Sequence, residues 1–293
     1  MKNRIFKRFV LFSCVAPLLF CSCQNEKRVQ TPPPEEEHIY PVLPVPTPRE
    51  LPEPPTTEQT PSAPVNDIWD ISELDISYID PSRKLISFTF DDAPSKTFEN
   101  ILAVFTAYNE THEKCQATAT FFCNGHFFNE TAYRSARLAA ALNMELGNHT
   151  FSHPKLPTLS LPEMQSEIDR TDEILQKIDG KPRHLFRAPF GSLDERVKQI
   201  VQTPVIDWTI DTLDWTGVSS QEIYDTVWTN KYAGAIVLMH DGYENTVDAL
   251  KRLLPDLYDA GYQVASVSAM SKAHACPLRR GSVYIRARKK AGV

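Results

Sequence analysis

Five short runs of apolar, β-branched or aromatic residues recur along the chain, at 85–90, 117–123, 205–210, 235–239 and 263–267. They are nearly continuous, not alternating, which suits strands covered on both faces, as in a parallel sheet flanked by helices. Between them lie helical patterns. The clearest is Met164, Ile168, Thr171, Leu175 and Ile178, spaced by four and three along one face. Ser160 with Glu163 forms a capping box at its start, Pro162 sits in the first turn, and Gly180 follows the last apolar position. Strand and helix therefore alternate, and connections of this kind are right-handed crossovers in a parallel sheet or barrel. Chemistry in such folds gathers at the carboxyl ends of the strands, so the polar residues just after each run are the ones to examine.

Composition limits where this pattern can fold. Of the 23 prolines, 12 fall between Thr31 and Val65, with six glutamates, one arginine and no glycine; such a stretch cannot bury enough apolar surface to fold compactly. Residues 23–66 are read as a disordered linker, 67–275 as one folded domain and 276–293 as a basic tail. At the start, Lys2, Arg4, Lys7 and Arg8 precede an apolar run at 9–20 that is too short to cross a bilayer and reads as an export signal over 1–22. Small Ser22 before Cys23 suggests cleavage and lipid attachment at Cys23; the alternative is ordinary cleavage nearby. If anchored, the Pro-rich segment is a semi-rigid spacer reaching on the order of 100 Å. The expected location is thus the cell envelope or the exterior, with any membrane contact made through an N-terminal lipid.

The formal net charge of -6 argues against a nucleic-acid partner. Six basic residues follow Pro277 with no acid among them, which leaves -12 on the rest of the chain. That end could touch anionic wall polymers or lipid head groups, although a solvated, frayed terminus is the plainer expectation. Cys115, Cys123 and Cys276 are too few for a disulfide scaffold or a cysteine metal site.

After run 85–90 come Asp91 and Asp92, then Ala93 and Pro94. Neighbours on a strand face opposite sides, so both carboxylates share a site only if the strand stops there, which Pro94 encourages. His149 and His153 stand four apart, a spacing that on a helical turn puts both rings on one face and is common among metal ligands. Two imidazoles and one carboxylate leave open positions for water and substrate, as a catalytic metal site requires. Arg187-Ala188-Pro189-Phe190, Asp211-Thr212-Leu213-Asp214-Trp215 and Leu238-Met239-His240-Asp241 complete the set, each after an apolar segment. Singly, each has a plain structural explanation: a surface ion pair, a turn residue, core filler, a buried neutral ring. Together, after successive strands, they do not.

These five clusters, in this order across residues 84–267, resemble the polysaccharide deacetylase family, carbohydrate esterase family four, with its nodulation-protein-B-type catalytic domain. The resemblance implies an irregular (β/α)7 barrel with parallel strands, in the α/β class. It implies that Asp91 is the catalytic base and that Asp92, His149 and His153 bind metal. Arg187 would orient the base, and the Phe190 backbone N–H would face the oxyanion, so phenylalanine in place of the family's tyrosine matters little. Asp214 would support Arg187 or the acid histidine, Trp215 and Leu238 would wall the acetyl pocket, and His240 would be the general acid. Ala93 replaces the family's glycine; if that turn needs a positive φ, alanine there is strained by about 1–2 kcal/mol.

The activity so implied is metal-dependent removal of N-acetyl or O-acetyl groups from an envelope or chitin-like polysaccharide, with peptidoglycan N-acetylglucosamine favoured by export and the spacer, and a monomer expected. Nitrogen-rich ligation points to Zn2+, with Co2+ or Ni2+ as substitutes. Two rivals stand beside it: a non-haem iron oxygenase, which has no use for Asp91, Arg187 and His240, and a non-catalytic glycan-binding lipoprotein on the same scaffold.

Overall fold

The run read at 85–90 is the middle of β1 (Lys84–Ala93), the strand on which the rest of the sheet is laid. In the computed structural model, residues 68–287 are described, within a unit spanning Pro61–Val293. The expected export signal, Cys23, the Pro-rich segment and residues 288–293 lie outside the described residues.

The elements follow in the order β1, α1 (Phe98–Thr111), β2 (Thr120–Cys123), α2 (Glu130–Ala141), β3 (Glu145–Asn148), α3 (Leu161–Asp179), α4 (Glu195–Ile200), β4 (Val205–Ile206), β5 (Ile210–Asp211), α5 (Ser220–Asn230), β6 (Ile236–His240), α6 (Glu244–Asp259), β7 (Tyr262–Val264), α7 (Val267–Ala273) and β8 (Val283–Tyr284). Strand order is β3-β2-β1-β6-β5, all pairs parallel. Beyond β3, Phe186 bridges Asn148 to Val205 of β4, and β4 runs into β5 after three residues. The two ends of the strand path are thus joined by the chain itself, and the α/β architecture is an irregular barrel. β7 pairs with the amino end of β1, where Val264 O accepts from Thr118 N–H.

Phe88 and Phe90 of β1 are fully buried. Phe90 stacks on Phe121 at 5.0 Å and meets Phe105 of α1 edge-on at 6.2 Å. Each such burial stabilises by about 1.5–3 kcal/mol. α3 starts and stops where its sequence says: Ser160 N–H donates to the Glu163 carboxylate at 2.8 Å, and Gly180 closes the helix at φ 79°.

Three local expectations are corrected. The run 205–210 is two strands, because the chain changes partner between them, Asp207 N–H donating to Tyr284 O of β8 and Thr209 N–H to Ile236 O of β6, as Asp207 and Trp208 pass Arg187. The run 263–267 ends as a strand at Val264; Ser266 caps the next helix through Ala269 N–H, and Val267 opens α7. The basic end is not frayed through 287: Leu278 and Ala287 are buried, β8 pairs with β4, Ile68 bridges Arg279 and Ala235 bridges Arg286. Apolar contact and ladder hydrogen bonds hold this segment despite its charge. Cys115, Cys123 and Cys276 are free thiols.

Candidate active site

β1 carries Asp91 and Asp92 to the carboxyl edge of the sheet. The strand does not stop before them, as the sequence suggested. Asp92 adopts φ 60°, and the register with β2 shifts between Phe90 and Ala93. This bulge turns both carboxylates to one side, where His149 Nε2 lies 3.5 Å from Asp91 Oδ2 and 4.0 Å from Asp92 Oδ1. The positive φ falls on Asp92, so Ala93 carries no such strain; aspartate is among the residues that tolerate this region best.

His149 follows β3 and is buried. Its Nδ1 lies 2.8 Å from the Arg187 carbonyl oxygen. A carbonyl only accepts, so Nδ1 carries a proton and Nε2 is the ring atom turned toward the two carboxylates. His153 arrives by a loop and not by a helical turn: Thr150 and His153 take φ 69° and 58°, and His153 N–H donates to Thr150 Oγ1 at 3.1 Å. Ser152 ties the loop to α3 through Glu167. His153 Nε2 lies 3.6 Å from Asp92 Oδ1. Burial and the neighbouring His149 lower the His153 pKa, which favours the neutral ring. One donor atom each from Asp92, His149 and His153 lies within 4.8 Å of the others. Two imidazoles with free lone pairs and one carboxylate fit a divalent ion with coordination positions to spare.

Arg187 is completely buried. Its Nη1 donates to Asp91 Oδ1 at 2.7 Å and to Thr89 Oγ1 at 2.8 Å; Nε donates to Ile206 O, and Nη2 to Asp207 O. Phe122 covers one face of the guanidinium at 4.2 Å. Burial pushes the Asp91 carboxyl up, but Arg187 and the neighbouring imidazoles outweigh it and hold the group below its usual range. His240 ends β6 directly opposite Asp91 in register. Its Nδ1 lies 2.8 Å from Asp214 Oδ1, and its backbone N–H donates to Asp214 Oδ2 at 2.7 Å. Burial depresses the His240 pKa, yet the bond to Asp214 and the nearby carboxylates raise it above its ordinary value. Of the two supports considered for Asp214, the structure places it on His240.

Phe190 takes φ 60°, is 69% exposed, and meets His153 edge-on at 4.6 Å. Trp215 stands exposed beside buried Asp214, and Leu238 is buried on β6. A cavity of about 470 Å³ opens beside Asp92 and His153, with Lys96, Asn124, His126 and Tyr243 on its walls.

The sequence model described as "Polysaccharide deacetylase" matches residues 78–204. The peptidoglycan-N-acetylglucosamine deacetylase of Bacillus cereus is 31% identical over 196 residues, covering 63% of this chain and 67% of that protein. The chain belongs to the polysaccharide deacetylase family. Peptidoglycan-N-acetylmuramic acid deacetylase PdaC of Bacillus subtilis is a further relative of this chain, 32% identical over 66% of it; the match covers 40% of PdaC. The solved structure of PdaC superposes with a TM-score of 0.61 at 31% identity, covering 67% of this chain and 94% of that one.

Sequence reasoning gave no role to four polar groups of this deacetylase-family site. Thr89 Oγ1 accepts from Arg187 and donates to Val237 O at 2.6 Å; its place in the run 85–90, two residues before Asp91 and so on the same side of the strand, was the available signal. Thr246 Oγ1 donates to Asp214 Oδ2 at 2.7 Å, from the first turn of α6. Asp241 accepts from Ser95 N–H and Thr97 Oγ1, and burial pushes its pKa up to about 6. Asp207 has its pKa raised by burial, and its Oδ1 has no hydrogen-bond partner among the described residues. No spacing rule marks it.

Proposed function

We propose that this chain is a metal-dependent hydrolase that removes acetyl groups from the amino sugars of an envelope glycan, with peptidoglycan N-acetylglucosamine as the first candidate. The observation that carries this is the convergence of Asp92, His149 and His153 beside a second carboxylate, Asp91, and a carboxylate-backed imidazole, His240. The names of the relatives from Bacillus cereus and Bacillus subtilis support the choice of glycan.

Asp92, His149 and His153 would hold the ion, and zinc suits the two nitrogens and one oxygen. A divalent metal bound there acidifies water and polarises a carbonyl oxygen. Asp91, kept ionised and oriented by Arg187, takes a proton from the attacking water. The Phe190 backbone N–H faces the oxygen that becomes negative. His240, held protonated by Asp214, gives its proton to the amine as the carbon–nitrogen bond breaks, leaving acetate and a free amino sugar. Trp215 and Leu238 wall the acetyl group. Export, and lipid attachment at Cys23 with the Pro-rich segment as a spacer, would place the enzyme at the cell envelope. Among the described residues no helix is long and apolar enough to cross a membrane.

Acetate release from purified wall, chitin oligomers and acetylated xylan, each with and without a chelator, tests this reading. Chelator-sensitive release from wall is expected. Wall binding with no release from any of the three substrates overturns it.

A further inference from the structure

The cavity beside Asp92 and His153 does not end at Phe127. A second cavity, of about 530 Å³, adjoins it, and Ser95, Lys96 and Phe127 line both. These three residues form the passage from the candidate metal site to a groove bounded by the first turns of α1 and α2. The passage is held by its neighbours. Ser95 N–H and the Thr97 hydroxyl donate to Asp241 at 2.5 and 2.6 Å, which ties the residues on either side of Lys96 to the end of β6. Phe127 closes a short turn, Gly125–Phe127, and packs against the His126 ring at 4.1 Å. His126 is fixed in turn by Phe151 O, which lies 2.9 Å from its backbone N and 2.7 Å from Nδ1. A Cβ on Gly125 would come within 2.5 Å of the Phe151 ring, so this turn lies directly against the loop that carries His153.

The groove carries positive charge. Lys96 and Arg134 line it and are exposed, and among the described residues neither has an ion-pair partner. Glu99, the acid on the same wall, is engaged by the Ser135 hydroxyl at 2.6 Å. Phe127 is 37% exposed between the two cavities. An aromatic side chain there suits the C–H face of a sugar ring, and two unpaired cations beyond it suit a carboxylate on that sugar. A glycan lying through the passage therefore meets the reacting groups with one residue and the cations with a neighbouring one. Peptidoglycan alternates its acetylated amino sugar with one bearing a lactyl ether that ends in a carboxylate or an acidic peptide. Chitin carries no such charge.

We propose that Phe127, Lys96 and Arg134 form a subsite for a carboxylate-bearing sugar next to the one being deacetylated, and so select an anionic wall glycan over chitin. This rests on the hydrolase reading of the cleft. The test compares the full chain with Arg134→Glu and with Lys96→Ser/Arg134→Ser on three substrates: a peptidoglycan oligomer with its peptide stems, the same oligomer after an amidase has removed them, and a chitin oligomer of equal length. Acetate release should show kcat/KM for the anionic oligomers falling about 10-fold relative to chitin in each variant, through KM, with the difference shrinking at high salt. Loss on the stem-free oligomer assigns the groove to the lactyl carboxylate; loss only when stems are present assigns it to a stem carboxylate. Unfolding midpoints should match the parent, since both side chains are exposed. An unchanged ratio, or an equal fall on all three substrates, overturns the proposal. Calorimetric binding of the anionic oligomers separates this from the hydrolase reading. Should the parent release no acetate, that reading fails, and equal binding by parent and Arg134→Glu overturns the subsite as well.

Discussion

Asp214 grips His240 at two points, the ring Nδ1 at 2.8 Å and the backbone N–H at 2.7 Å, and is itself fully buried. A carboxylate in this position can only accept, so the ring keeps its proton on Nδ1 and any proton it gives up leaves from Nε2. The protonated ring exists below a pKa that Asp214 raises, so activity is expected to fall as pH rises through it. Asp214→Asn removes the charge and should move the alkaline limb of the pH–rate profile to lower pH, with kcat down by about 10²–10⁴. An unchanged profile would detach Asp214 from the chemistry.

Arg187 and Asp91 are both buried and share a 2.7 Å contact. Arg187→Met leaves the carboxylate without its cation and should cost about 3–5 kcal/mol in denaturant unfolding, because an uncompensated buried charge is expensive. Asp91→Asn/Arg187→Met should recover part of that loss while hydrolysis stays absent.

Removing metal should abolish hydrolysis without unfolding the chain, since the barrel core is built from Phe88, Phe90, Phe121 and their neighbours and not from the three candidate ligands. Adding Zn2+ at roughly a hundred times its Kd should stabilise the apo protein by about 2.7 kcal/mol. His153→Ala should lose that shift in thermal melts and lower the metal content measured by elemental analysis.

Ala93→Gly tests where the backbone strain resides. Ala93 is fully buried and Asp92 carries the positive φ, so restoring the family's glycine gains no conformational relief. The variant should be less stable by about 0.5–1 kcal/mol or more in urea unfolding, with hydrolysis little changed. A gain in stability would contradict the assignment.

His184 is buried between Asp172, 2.9 Å from Nδ1, and Asp179, 3.1 Å from Nε2. Burial depresses its pKa, but the two carboxylates raise it above the ordinary 6.5. A raised pKa in the folded state gives stability that is complete below 6.5 and is lost as pH climbs through the folded value. The melting temperature should therefore decline as pH rises above 6.5 and through the raised folded-state value, and His184→Gln should flatten that decline.

Much of the fold was readable because α3 and the buried strands obey local rules: a capping box, a Gly180 stop, short runs made mostly of apolar and β-branched residues. The site was readable as residue types and less so as geometry. The sequence suggested a terminated strand at Asp92 and a helical turn at His149–His153, whereas a bulge and a loop bring these groups together. Both depend on left-handed residues, Asp92, Thr150 and His153, that have no glycine to announce them. Asp207 escaped notice because its environment is made by Arg187 and Asp91, distant in sequence. The C-terminal segment was misjudged because charge dominated the reading, while single apolar residues, Leu278 and Ala287, do the anchoring.

Five non-glycine residues near the candidate site, Asp92, Thr150, His153, Phe190 and Leu213, hold positive φ values. Each is disfavoured by about 1–2 kcal/mol relative to relaxed backbone. Selection for heat resistance alone would therefore drift toward glycine or asparagine at these positions, and the variants that survive best in such a screen should include those that have surrendered turnover.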